Sequence, residues 1–242
     1  MLRGRSGHTP VTEHADVVQN AHTVMERVAA AAERSGRDPD SVRIVAVAKT
    51  EPRDRAVAAL HAGIRIIGEN RVQEAVEKWD TGLPNGVALH MVGRLQRNKA
   101  RRGAEVFDMI HSCDSLRLVR SISQAARAKP VPVLLEVNMS GEPSKAGFAP
   151  TELPETLEEL LQVPGLQFDG LMTIAPAVAD PEAARPYFAT LARLSEELRS
   201  RFPSLGPELS MGMTNDYEVA VEEGATLVRI GRAIYGERRL LG

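Results

Sequence analysis

Lys49 ends a run, Val42-Arg43-Ile44-Val45-Ala46-Val47-Ala48-Lys49-Thr50, in which Arg43 is the only earlier charge. An unbroken series of β-branched and small apolar residues reads as a strand buried on both faces, the pattern of a parallel sheet. Glu51-Pro52 follows, and Pro52 cannot continue a ladder. Lys49 therefore stands at the carboxyl end of a buried strand, where α/β proteins build their sites. Desolvation disfavours an ammonium group there, and a neutral amine can attack an aldehyde to form a Schiff base. Taken alone, the stretch fits a surface lysine in a turn more simply. A second set of residues changes the balance: Ser210-Met211-Gly212-Met213-Thr214 and Arg229-Ile230-Gly231-Arg232. Gly212 and Gly231 let the backbone approach an anion, and Ser210 and Thr214 offer hydroxyls. Helices expected to start near 214 and 231 would add free N–H groups.

Elements must bring these ends together. Strands are expected over 43–48, 64–67, 87–92, 106–110, 131–138, 166–172, 207–210 and 226–230. Helices are expected between and after them, over 53–62, 70–79, 95–102, 115–128, 151–162, 181–201, 214–223 and 231–240. Strict alternation argues a parallel sheet. Eight units in about 200 residues argue an α/β fold of the (β/α)8 TIM-barrel type, with an open doubly wound sheet as the alternative. A further helix over 12–35 precedes the barrel, with Thr12 as its cap and Gly36 as its stop. Val17, Ala21, Val24, Val28 and Ala31 form its apolar stripe. Residues 1–10 read as a disordered leader and 11–242 as a single domain. The loops after the strands then share one face, and they carry Lys49, Glu69-Asn70, Gly93-Arg94, His111-Ser112, Asn138, Thr173, Ser210 and Arg229. Barrels often bind phosphate with the loops after strands seven and eight. An amine on one side of the rim and a phosphate grip on the opposite side select a phosphorylated carbonyl compound. Pyridoxal 5′-phosphate (PLP) is one, and a sugar phosphate in a lysine aldolase is another.

Composition restricts the setting. The 242 residues are 43% hydrophobic and 26% charged, ordinary for a globular protein, and a formal net charge of −2 gives no general pull toward nucleic acid. Cys113 is the sole cysteine, so an internal disulfide and a cysteine-built zinc cage are excluded. The amino terminus lacks the apolar core of a secretory signal, and no apolar run approaches the ~20 residues of a membrane span. A cytoplasmic protein without nucleic-acid or membrane partners is expected.

Across about 17–236 the chain resembles the pyridoxal 5′-phosphate homeostasis protein family, whose fold is similar to the N-terminal barrel of alanine racemase (fold type III). The resemblance lies in Ala46-Val47-Ala48-Lys49-Thr50, Gly68-Glu69-Asn70-Arg71-Val72-Gln73-Glu74 and Ile110-His111-Ser112. It continues through 90–99, 135–147 and Gly170-Leu171-Met172-Thr173-Ile174. It ends in Leu209-Ser210-Met211-Gly212-Met213-Thr214 and 228–236. It implies that Lys49 carries PLP as a Schiff base, that Asn70 lies near the ring, and that Arg229 faces the pyridine nitrogen. Ser210 and the backbone around Ile230, Gly231 and Arg232 would hold the phosphate. An arginine only donates, so the facing nitrogen must accept and stays unprotonated, a poorer electron sink. Ala48 stands where the family often has serine, Glu51 near where it often has a basic residue, and Arg232 where it commonly has a small hydroxyl residue.

The resemblance implies a PLP-binding protein of intracellular PLP homeostasis, a monomer or weak dimer that buffers the cofactor or delivers it to PLP-dependent apo-enzymes. No catalytic residue and no metal are assigned. An amino-acid racemase is the alternative, with a lysine aldolase behind it; a scaffold using the basic cluster Arg94, Arg97, Lys99, Arg101 and Arg102 is the third. Racemases of this barrel type add a domain that brings a tyrosine acid/base. The tyrosines here, Tyr187, Tyr217 and Tyr235, all fall on expected helices. His90, His111 and Glu69 lie on different strands and read as satisfied barrel residues, not metal ligands. Cys113 is expected to be inert.

Overall fold

The computed structural model describes residues 14–125, 129–142 and 145–237. The strands are β1 (Arg43–Val47), β2 (Ile66–Glu69), β3 (Ala88–Met91), β4 (Met109–Cys113), β5 (Val131–Glu136), β6 (Leu166–Met172), β7 (Glu208–Ser210) and β8 (Leu227–Ile230). They run parallel, in chain order, round a closed barrel. β8 pairs with β1 in the register Ala46↔Ile230 and completes the ring. The expected barrel, rather than the open sheet, is therefore the fold. Among the described residues the helices after the strands are α2 (Arg53–His61), α3 (Val72–Lys78), α4 (Ala100–Val106), α5 (Leu116–Ser123), α6 (Leu153–Leu161), α7 (Arg185–Arg201), α8 (Tyr217–Glu222) and α9 (Arg232–Tyr235).

Strand alternation sorts the side chains into two cores. Val45, Ile66, Val92, Met109, Leu134, Met172 and Leu227 pack together inside the ring. Their chain neighbours, Ala46, Ile67, Met91, Ile110, Leu135, Leu171 and Val228, point outward under the helices. Full burial of each large side chain contributes roughly 1.5–3 kcal/mol. Two residues further along the same inward rows come Lys49 beyond Val47, Glu136 beyond Leu134 and Arg229 beyond Leu227. The ring interior is apolar apart from buried His90, His111 and Ser210, and its rows end in charged residues at β1, β5 and β8.

Helix α1 (Ala15–Arg34) buries Val17, Ala21, Val24, Val28, Ala31 and Ala32, the expected stripe with one addition. It lies outside the ring against α2, α8 and α9, across the β8–β1 seam. Asn20 Nδ2 donates to the Ile234 carbonyl at 3.1 Å and Arg37 to the Val221 carbonyl at 2.7 Å, which fasten it there. The proposed cap Thr12, the leader 1–10 and the helix ends at 126–128 and 238–240 lie outside the described residues. Among the described residues no helix is long and apolar enough to cross a membrane.

The fourth strand departs from expectation. Val106 closes α4, and the Phe107 N–H bonds back to the Gly103 carbonyl at 3.0 Å. These two apolar residues serve the helix, and the strand starts at Met109. His111 and Ser112 therefore belong to β4 itself and not to the loop after it. The basic stretch forms a 3-10 turn, Arg97–Lys99, before α4.

Candidate functional site

Lys49 sits in a tight turn beyond β1. Ala48 N–H still bonds to the Gly68 carbonyl at 2.9 Å, and Glu51 N–H closes the turn on the Ala48 carbonyl at 3.1 Å. Thr50 has φ +66°, a left-handed conformation that is costly for a β-branched residue. Its N–H donates to the Glu74 carboxylate and its hydroxyl to the Lys49 carbonyl, which hold it there. The strand beneath is buried, but the Lys49 side chain itself is exposed. Burial of the amine, expected from the strand, is not found. No ion pair engages Lys49 among the described residues.

A hydrogen-bonded chain crosses the barrel interior. Arg229 on β8 donates through Nη1 to Ser210 Oγ at 2.6 Å and through Nη2 to the Thr173 carbonyl at 2.9 Å. Ser210 Oγ lies 2.8 Å from His111 Nδ1, and His111 Nε2 lies 2.9 Å from His90 Nδ1. Burial holds His90 down at about 4 and His111 well below the usual range, so both rings are neutral at pH 7. Ser210 is wholly buried, so its O–H has to find an acceptor. The arrangement that leaves no hydroxyl donor idle has Ser210 donating to His111 Nδ1 and His111 Nε2–H donating to His90 Nδ1. Both histidines are thus satisfied inside the barrel, as expected. Burial also brings the Arg229 guanidinium down to about 10, with Glu136 and Asp216 acting the other way. It stays charged at neutral pH.

Glu136 is a member of the mouth that sequence reasoning missed. It is 7% exposed, and burial pushes its carboxyl up to about 7, helped by Asp114 and opposed by Arg229 and Arg94. The signal was its parity with inward-facing Leu134, masked because the apolar run Val131–Glu136 carries no alternation.

The last two loops are not equivalent. Gly212 has φ +89°, and a Cβ there would stand 2.5 Å from Ala220 Cβ, so the fold itself requires glycine. Gly231 has φ −109°, and a Cβ there would meet nothing nearer than the Val47 carbonyl at 3.4 Å. Its bareness therefore leaves space that the fold does not use. Among the described residues the N–H groups of Gly231 and Arg232 make no backbone hydrogen bond. Thr214 Oγ1 accepts from Ala233 N–H at 3.4 Å and links the two loops, while Asp216 accepts from Met213 N–H at 2.6 Å.

Lys49, Asn70, Arg229, Ile230 and Gly231 are brought together along three adjacent strands, β8, β1 and β2. The loop Ile230 to Arg232, expected opposite the lysine, lies beside it, because ring closure makes β8 the neighbour of β1. Ile230 turns its side chain into the outer core, so only its backbone faces the loop. Ser210 lies below the mouth with its hydroxyl engaged. Arg232 stands in solvent, 3.4 Å from Asn215 Oδ1 and 3.6 Å from Glu237. In the basic cluster, Arg94 pairs with Asp114 at 3.4 Å, and Arg101 and Arg102 pair with Glu105 at 3.3 and 3.2 Å. Cys113 is fully buried, which raises its thiol and removes it from reaction.

The profile of the alanine racemase N-terminal domain matches residues 15–239. The pyridoxal phosphate homeostasis protein of Aquifex aeolicus is 40% identical over 218 residues, covering 89% of this chain and 96% of that protein. PipY of Synechococcus elongatus, solved with PLP bound, superposes with a TM-score of 0.77 at 39% identity, covering 88% of this chain and all of PipY. Alanine racemase of Corynebacterium glutamicum gives a TM-score of 0.69 at 14% identity, covering 95% of this chain and 63% of that enzyme, and shares the fold alone. With the lysine, the arginine and the bare glycine loop at one seam of such a barrel, the chain belongs to the pyridoxal phosphate homeostasis protein family.

Proposed function

We propose that this chain holds PLP as a Schiff base on Lys49 and keeps that reactive aldehyde available to PLP-dependent apo-enzymes in the cytoplasm, as buffer or donor. It has no strong turnover of its own. One arrangement carries the reading: an exposed amine at the end of β1 beside Gly231, whose empty side-chain space the fold does not need. PLP would supply an aldehyde for Lys49 and a phosphate for the backbone at Ile230, Gly231 and Arg232. Arg232 can swing its charge to that phosphate, since its present partners are distant. Asn70, partly exposed at the end of β2, flanks the ring. Arg229 is held by Ser210 and Thr173 so that its remaining N–H groups point as donors only, and a facing ring nitrogen must then accept. This favours holding over turnover. In keeping with that, Tyr235 is buried and donates to the Ala56 carbonyl at 3.3 Å, and Tyr217 is buried against α1 and its neighbours. Neither is placed as an acid/base at the mouth.

The test is borohydride reduction of the protein after incubation with PLP, followed by peptide mapping and an amino-acid α-proton exchange assay. One adduct on Lys49 and no steady exchange are expected. Adducts scattered over surface lysines overturn the binding site; steady exchange with any D- or L-amino acid overturns the non-enzymatic reading. Gly231→Ala separates the fold from the grip. It is expected to change stability by less than about 1 kcal/mol while weakening PLP binding on the order of tenfold. A thermal melt and a PLP titration check both.

A further inference from the structure

We propose that Lys78 and Glu74, on the helix behind the mouth, are positioning residues that clamp the Lys49 turn from both sides. The inference rests on the proposed role of Lys49. The Lys78 side chain is 8% exposed, and its ammonium group has three protons to place. Nζ donates to the Ala48 carbonyl at 2.7 Å, to Glu69 Oε1 at 2.9 Å and to Glu74 Oε1 at 3.4 Å. Ala48 is the residue immediately before Lys49. The same Glu74 oxygen accepts the N–H of Thr50, the residue immediately after it. One ion pair on α3 therefore grips both peptide groups that flank the reactive lysine.

The arrangement is an expensive way to stabilise a barrel. Glu69 is wholly buried, and its Oε2 finds no partner among the described residues. Its Oε1 takes Lys78 and, at 3.2 Å, the Trp79 indole N–H. Burial raises the Glu69 carboxyl against the pull of Lys78. Packed apolar side chains of similar volume commonly serve stability as well as or better than such a group. What they cannot do is hold Thr50 in its left-handed conformation or fix the Ala48 carbonyl. A turn held this way presents the amine at a set distance from the neighbouring Gly231 loop, and such orientation is where proximity gains arise.

The experiment uses Lys78→Met and Glu74→Ala in the full chain. Glu74 is three-quarters buried, and its loss removes the Thr50 clamp while leaving the Lys78–Glu69 pair, so it stands in should Lys78→Met fail to fold. Two readouts are taken: hydrogen exchange of the Thr50 amide without ligand, and the rates of Lys49 capture of PLP and of pyridoxal. Pyridoxal has no phosphate, and because its 5′-hydroxyl masks much of its aldehyde as a hemiacetal, the rate ratio of each protein is divided by the ratio for free lysine. Each variant is expected to speed Thr50 exchange at least tenfold and to lower the ratio of the PLP rate to the pyridoxal rate about tenfold. A variant with a lower melting temperature but unchanged exchange and an unchanged rate ratio overturns the proposal. If wild type shows no preference for PLP over pyridoxal beyond that of free lysine, the reading of the site fails, and Thr50 exchange still decides the clamp.

Discussion

Lys49→Ala is expected to keep the barrel and to abolish covalent capture of PLP. The side chain is exposed and makes no ion pair among the described residues, so its loss should change stability by no more than about 0.5 kcal/mol. The turn is held through backbone groups, the Ala48 and Lys49 carbonyls and the Thr50 N–H, none of which the substitution removes. What disappears is, among the described residues, the only exposed amine on the inward rows at this seam. Lys78 cannot take its place, because its ammonium is buried and bonded to three acceptors. Non-covalent contacts at Gly231 and Arg229 remain, so weak binding persists. A loss on the order of 100-fold in affinity, about 2.7 kcal/mol, is expected, with no reducible adduct in the mass spectrum. An adduct of undiminished yield on another lysine would show that the mouth does not direct the chemistry.

The architecture was legible because the barrel is built from local signals. Apolar runs such as Val42 to Ala48 and Leu227–Ile230 alternate with amphipathic stretches, and eight repeats of that pattern leave few folds. Where a local signal served two elements, the reading slipped: Val106 and Phe107 are apolar for the sake of α4, and they drew the fourth strand forward by three residues, putting His111 in a loop. The expected closed ring already makes β8 the neighbour of β1, so the nearness of Gly231 to Val47 followed from the fold, and setting the glycine loop opposite Lys49 overlooked it. The clamp was hidden by a local pattern. Glu74 and Lys78 are spaced four apart on a helix, which normally marks a solvated ion pair. Their partner carbonyl at Ala48 is 30 positions away in the chain. Glu136 was hidden differently, since a wholly apolar strand gives no alternation from which to infer the side of the residue that ends it.

Glu136→Gln is expected to stabilise the protein near pH 8 by up to about 3 kcal/mol and to steepen its rise in stability with pH. The Glu136 carboxyl titrates at about 7 in the fold, against an ordinary value of 4.5. Between those values the unfolded chain has released this proton and the folded chain has kept it. The folded state binds more protons, so stability falls as pH rises through this window, and above it the full cost persists. His90 works in the opposite sense: burial lowers it from 6.5 to about 4, so the folded state binds fewer protons and stability rises with pH across that interval. His111 is displaced in the same direction, with burial again the main cause. Between about pH 4.5 and 6.5 the carboxyl and the histidines oppose each other, and the wild-type curve is flattened. Glutamine has the shape of the protonated carboxyl and cannot ionise, so it removes one arm of this balance. The melting temperatures of variant and wild type should coincide near pH 4, diverge between about pH 4.5 and 7, and stay apart to pH 8. Between about pH 4.5 and 6.5 the stability of the variant should rise more steeply than that of wild type, by the slope of one proton. A gap that is the same at both ends would mean that Glu136 does not change charge within the mouth, and that Arg229 faces a fixed carboxylate.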